Sequence, residues 1–145
     1  MKVAVGMIVF NGNYVLRETL ESVYPYVDQI LIAEGPVTFW QEQGYKTSDD
    51  GTNDIIDNFP DPDDKIKIVH GQFSEKDDQC NAYMQHLDED IDYIWNVDSD
   101  EVFKPEDIEL LFQILNSNLI AEKPFTSVGF KSVTFYGGFD DYLTG

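Results

Sequence analysis

Three carboxylates close one hydrophobic run. Tyr93-Ile94-Trp95-Asn96-Val97 favours a pleated, buried environment and reads as a buried strand; Asp98, Asp100 and Glu101 follow at once. Carboxylates at a strand end are expensive to bury unless water solvates them or a cation neutralises them. In an open α/β sheet the carboxyl ends of the strands form the ligand-binding edge. Two aspartates two apart at that edge suit a divalent cation that in turn holds a phosphate-bearing ligand. Mg²⁺ and Mn²⁺ fit this chemistry, because they prefer oxygen ligands, keep several waters and need only one or two protein carboxylates. The bland alternative is a solvated acidic turn.

The elements before this run must position it. The run Val3-Ala4-Val5-Gly6-Met7-Ile8-Val9-Phe10 is continuously apolar, as in a strand covered on both faces. Asn11-Gly12-Asn13 breaks it with turn chemistry. A helix is predicted over about residues 14–24, with Leu16, Leu20 and Val23 on one face and Pro25 ending it. A second buried strand, 29–33, ends in Glu34-Gly35. Strand, helix and strand in this order make a βαβ unit with a right-handed crossover.

Further along, Asp49-Asp50-Gly51-Thr52 reads as a helix start capped by Asp or Thr, and Ile55, Ile56 and Phe59 form the buried side. A third strand, 65–69, ends at His70-Gly71. His70 either touches a ligand at the binding edge or bonds a neighbouring loop; His86 reads as a surface residue. A helix from Ser74 or Glu75 to Leu87 is predicted to be capped by Ser74, with an inner stripe of Cys80, Tyr83, Met84 and Leu87. Another helix starts at Pro105 and buries Ile108, Leu111, Phe112, Leu115 and Leu119. Alternation through Val128, Phe130, Val133 and Phe135 predicts a terminal strand or hairpin, broken by Gly137-Gly138.

The sequence has 145 residues, 42% hydrophobic and 14% aromatic, which suits one folded domain over 1–145. Its formal charge of −19 disfavours nucleic acids and anionic membranes as partners, since the Lys and Arg residues are scattered. No apolar run approaches the roughly 20 residues that span a bilayer, so no transmembrane segment is expected. Single Cys80 and the lack of a signal-like segment point to the cytoplasm. The fold expected is α/β, a three-layer sandwich around a mostly parallel sheet.

The hydrophobic strand ending in Asp98-Ser99-Asp100, together with the order of the elements before it, resembles the Asp-X-Asp region of GT-A-type glycosyltransferases, above all family 2. The resemblance runs over about residues 3–103, the donor-binding half, and implies the strand order 3-2-1-4. It implies a metal-dependent transferase that moves a sugar from a UDP-, GDP- or dTDP-sugar to an acceptor of unspecified identity, with inversion. By the resemblance Asp100 ligates Mn²⁺ or Mg²⁺ directly. Asp98 reaches the ribose, or the metal through water, and Glu101 orients either one. Glu34 and Asp50 stand on the nucleoside side, with Lys76 as the early basic residue of the next helix and Asn81 in the family's Ala-Arg-Asn place. Two departures stand out. Cys80 replaces the Arg, and residues 36–47, with Phe39, Trp40 and Tyr45, separate Glu34 from the Ser48-Asp49-Asp50-Gly51-Thr52 turn. Those aromatics either stack on a base or sugar or fold back as a hydrophobic lid.

Inverting members use a later carboxylate as general base. After Glu101 the only late acidic pair is Asp140 and Asp141, which are the candidates; the base is otherwise unassigned. The C-terminus reads as a fragment, a truncation, or a minimal member completed by a partner, and an apolar edge there suggests a homodimer. The alternative function is a non-catalytic module that binds nucleotide or metal. A nucleotidyltransferase is disfavoured because Phe10-Asn11-Gly12-Asn13 lacks a Gly-rich basic loop, and a Rossmann dehydrogenase because no Gly-x-Gly-x-x-Gly follows the first strand.

Overall fold

The computed structural model describes residues 1–117, 127–129, 131, 133–135 and 142–144. The chain divides into two compact units, Met1–Leu110 and Leu111–Gly145. The first unit contains β1 (Val3–Val9), α1 (Leu16–Val23), β2 (Gln29–Glu34), α2 (Thr38–Gln41), α3 (Thr52–Asp57), β3 (Ile66–His70), α4 (Lys76–Met84) and β4 (Tyr93–Asn96). Helix α5 (Pro105–Leu115) spans the boundary. The sheet order is β3-β2-β1-β4 with every pairing parallel, as the sequence implied.

Register explains how the sheet is filled. In parallel strands, paired residues point to the same face. Gly6 pairs with Leu31 and Ile8 with Ala33. Leu31 and Ala33 pack with Phe73 and Tyr83, and Ile8 and Cys80 adjoin them, so this face is the one under α4. A Cβ on Gly6 would lie 2.6 Å from the Tyr83 hydroxyl, so the ring takes the room that a side chain would fill. The opposite face carries Val5, Met7, Val9, Ile30 and Ile32, all buried. Leu16, Leu20 and Val23, the apolar stripe of α1, are also buried, and each such side chain contributes about 1.5–3 kcal/mol relative to exposure. Burial on both faces is why β1 and β2 read as unbroken apolar runs.

Three expectations need correction. First, β4 is not a buried strand: Trp95 is buried, but Tyr93 and Ile94 are 36% and 37% exposed, because among the described residues β4 ends the strand order and pairs with β1 alone. Second, α4 starts after Glu75, with no side-chain cap. Ser74 serves instead through its carbonyl, which accepts the Thr38 N–H at 3.3 Å. Third, α4 turns Gln79 and Tyr83 inward and leaves Met84 exposed. A buried glutamine in the stripe hides the helical period from an apolar count.

In the second unit, β5 (Val133–Phe135) pairs antiparallel with β6 (Tyr142–Thr144), Thr134 opposite Leu143. A strand was expected here; it covers Val133 and Phe135, while Val128 lies outside it. Leu119, Phe130, Gly137, Gly138, Phe139, Asp140 and Asp141 lie outside the described residues. Among the described residues no helix is long and apolar enough to cross a membrane.

Candidate functional site

Three strand ends lie level at the carboxyl edge: Val9 pairs with Glu34, and Glu34 with His70. Glu34 is 1% exposed, so its carboxylate must be satisfied internally. The Ser48 N–H donates to Oε1 at 2.8 Å, the Thr47 hydroxyl lies 3.2 Å from Oε2, and His70 Nδ1 lies 3.0 Å from Oε2. Burial raises the Glu34 pKa, but these hydrogen bonds outweigh it and hold the group below its ordinary value. An ionised carboxylate only accepts, so Nδ1 carries the proton of this bond. Glu34, Lys46, Thr47, His70, Gly71 and Gln72 line an open cavity of about 430 Å³.

The segment between Glu34 and Thr47 is a buttressed cap. It carries α2, a short helix that the sequence did not signal. Gln41 Nε2 donates to the carbonyls of Pro36 at 2.9 Å and Phe73 at 2.7 Å, which ties the segment to the exit of β3. Trp40 and Tyr45 both pack on Phe10, with ring centroids 5.7 and 5.3 Å away. Phe39 meets Trp40 edge-on and remains 63% exposed. Trp40 and Tyr45 therefore fold back onto β1's end, as the lid reading expects, and Phe39 is left outside.

The loop after β1 is sewn to the loop before α3. The Asn11 N–H donates to Ser48 Oγ at 3.0 Å, and its side chain exchanges hydrogen bonds with Asp49. The Gly12 N–H donates to Thr52 Oγ1 at 2.9 Å, and the Asn13 N–H to Asp50 Oδ2 at 3.1 Å. Asp50 Oδ1 accepts from both the N–H and the hydroxyl of Thr52. Burial raises the Asp50 pKa; the bonds from Thr52 and Asn13 bring it below its ordinary value. The helix cap itself is Gly51, at φ +97°, with no side-chain cap bond. Asp50 therefore serves as a loop clasp just before α3, and Ser48, Thr47 and Thr52 are structural partners that a capping rule does not identify.

The acidic loop after β4 sits against this sewn loop. A Cβ on Gly12 would lie 3.2 Å from Ser99 Oγ, and the Thr19 hydroxyl donates to the Ser99 carbonyl at 3.1 Å. Asp98 and Glu101 close a turn: the Asp98 N–H donates to Glu101 Oε2 at 3.0 Å, and the Glu101 N–H to the Asp98 carbonyl at 3.1 Å. Tyr14, which the sequence did not single out, donates its hydroxyl to Asp100 Oδ2 at 3.1 Å. Asp98 and Asp100 are exposed. Among the described residues no group of three or more His, Cys, Asp or Glu side chains gathers as a metal cage. This donor set fits an ion that takes one or two carboxylates and completes its shell with water and phosphate oxygens.

Lys76 opens α4 and is exposed, as is Asn81. Their neighbour Gln79 is buried and donates Nε2 to the Gly35 carbonyl at 3.0 Å, fastening α4 to the exit of β2. No curated protein matches the chain. The sequence model described as Glycosyl transferase family 2 matches residues 47–136, beginning at Thr47 beside the Ser48–Thr52 turn and spanning β3, α4, β4 and the acidic loop. That match covers more than half of the sequence and takes in β3 and β4 of the all-parallel sheet, and the chain belongs to glycosyltransferase family 2.

Proposed function

We propose that this domain binds a nucleotide-sugar donor across the carboxyl edge of its sheet and transfers the sugar to an acceptor hydroxyl, with inversion. The observation that carries the reading is the meeting of two loops on one point. The 11–14 loop, sewn to the 47–52 loop on the proposed nucleoside side, abuts the Asp98-Ser99-Asp100 loop through Gly12 and Tyr14, and Thr19 of α1 joins it. Asp100, with Asp98 beside it, would hold Mn²⁺ or Mg²⁺. That ion, when bound, supplies charge neutralisation for the departing diphosphate. In the transfer the acceptor oxygen bonds to the anomeric carbon, the bond from that carbon to the diphosphate oxygen breaks, and the nucleoside diphosphate leaves. The acceptor proton passes to a base, for which Asp140 and Asp141 are the candidates.

The donor classes proposed are UDP-, GDP- and dTDP-sugars, and a reducing cytoplasmic setting suits the single Cys80. One observation favours the second reading, a nucleotide-binding module without turnover: Cys80 stands where the family's Arg is expected and packs toward the core.

Calorimetric titration of UDP and GDP, with Mn²⁺ and then with EDTA, tests the proposal. Metal-dependent binding that Asp100→Ala abolishes is the expected result. A folded protein that binds none of these nucleotides overturns it. Binding without any donor consumption, with or without acceptor, favours the second reading.

A further inference from the structure

The acidic residue that ends β2 is expected, by family resemblance, to meet the nucleoside itself. In this chain its oxygens are already taken. Glu34 is 1% exposed and accepts from the Ser48 N–H, the Thr47 hydroxyl and His70 Nδ1. With three donors on it and 1% exposure, little of the carboxylate is left open to a ligand, although it forms part of the cavity wall. His70 differs. Its side chain is 46% exposed and lines the same 430 Å³ cavity, beside Lys46, Thr47 and Gln72. The volume lies within the usual range for small-molecule sites, about 300–1,000 Å³.

The ring has two ends with different surroundings. Nδ1 is locked to the buried carboxylate at 3.0 Å. Nε2 lies 3.6 Å from Asp57 Oδ1, an ion pair when the ring is protonated but longer than a hydrogen bond, and both side chains are about half exposed, so a ligand can compete for Nε2. A carboxylate that fixes one nitrogen of a histidine sets the direction of the other. The sheet adds rigidity, because His70 is the last residue of β3 and is paired with Glu34.

We propose that His70, through Nε2, is the residue that contacts the nucleoside of the donor, and that Glu34 is a positioning residue acting through it. The proposal rests on the nucleotide-sugar reading above. It deepens that reading by moving the specificity contact from the strand-2 acid to the strand-3 histidine. Lys46 and Gln72 supply further polar groups on the wall of the same cavity.

The two nitrogens can be tested apart. A glutamine at position 70 places its amide near where Nε2 stands, and an asparagine places it near Nδ1. UDP and GDP are titrated with Mn²⁺ into wild type, His70→Ala, His70→Gln and His70→Asn, with a thermal melt of each. His70→Ala is expected to weaken the better nucleotide about tenfold, the scale of one lost hydrogen bond. His70→Gln is expected to recover most of that loss and His70→Asn little of it. Recovery by Asn and not by Gln would mean that the ring only satisfies Glu34, and would overturn the proposal. So would unchanged binding in His70→Ala while wild type binds. Absence of nucleotide binding in wild type would instead remove the donor reading itself, and this proposal with it.

Discussion

Tyr14 and Asp100 are joined across the carboxyl edge: the phenol donates to Oδ2 at 3.1 Å, so a residue of the β1–α1 loop aims a carboxylate of the loop after β4. Burial, then the hydrogen bond and charge of Asp100, raise the Tyr14 pKa, which keeps the hydroxyl a donor at ordinary pH. The same loop reaches the other way, since Asn11, Gly12 and Asn13 bond Ser48, Thr52 and Asp50. One four-residue stretch thus touches both sides of the candidate donor site.

Tyr14→Phe removes one exposed hydrogen bond and little packing. Stability is expected to stay within about 0.5 kcal/mol. Mn²⁺ affinity, read by electron paramagnetic resonance, is expected to fall by roughly three- to tenfold, the scale of one such bond. An unchanged Mn²⁺ affinity would show that Asp100 needs no help from the phenol.

Gly35 is a backbone requirement. Its φ is +142°, and a Cβ there would lie 1.9 Å from the Gly71 carbonyl oxygen. The Gly71 N–H meanwhile donates to the Glu34 carbonyl at 3.0 Å, so the two strand exits cannot separate without breaking the pairing. Gly35→Ala combines an unfavourable φ with a backbone clash, and a loss of about 2–4 kcal/mol is expected. A chemical denaturation midpoint equal to that of wild type would contradict this close approach.

Acid should loosen the contacts of Glu34 and Asp50. The Glu34 pKa is lowered in the fold from its ordinary 4.5, so its stabilising contribution is full above that value and is lost as pH falls through the folded value. Asp50 is lowered from 3.8 and works in the same direction. The stability gap between wild type and Glu34→Gln is expected to be constant near neutrality and to shrink as pH drops below about 4.5. A gap that widens on acidification would mean that the buried group is protonated in the fold.

The sheet was legible because β1 and β2 are apolar on both faces, and no helix period competes with that pattern. The order of the strands followed once the acidic strand end was recognised. The site was legible in residue type but not in role. Glu34 and Asp50 were read as nucleoside-side candidates from the family resemblance, yet Glu34 is engaged by residues 13, 14 and 36 positions away and Asp50 by Asn13, 37 positions away, and nothing local announces such partners. Tyr14 was hidden for the same reason, since its partner is 86 residues distant. The edge exposure of β4 was hidden because strand composition does not tell an edge from a centre.

Two residues of α4, two apart, should separate structure from binding. Gln79 is 3% exposed and gives its amide to the Gly35 carbonyl, whereas Asn81 is exposed on the same helix. Gln79→Ala leaves a buried carbonyl without its donor and a void beside it, so a loss of about 1–3 kcal/mol is expected. Because Gly35 directly follows Glu34, nucleotide affinity should fall along with stability. Asn81→Ala should leave the melting temperature unchanged and lower nucleotide affinity alone, if Asn81 meets the donor as the family resemblance implies. The paired measurement is a thermal melt and a UDP or GDP titration on each variant. Loss of stability in Asn81→Ala, or full stability in Gln79→Ala, would reverse the assignment of inner and outer faces on α4.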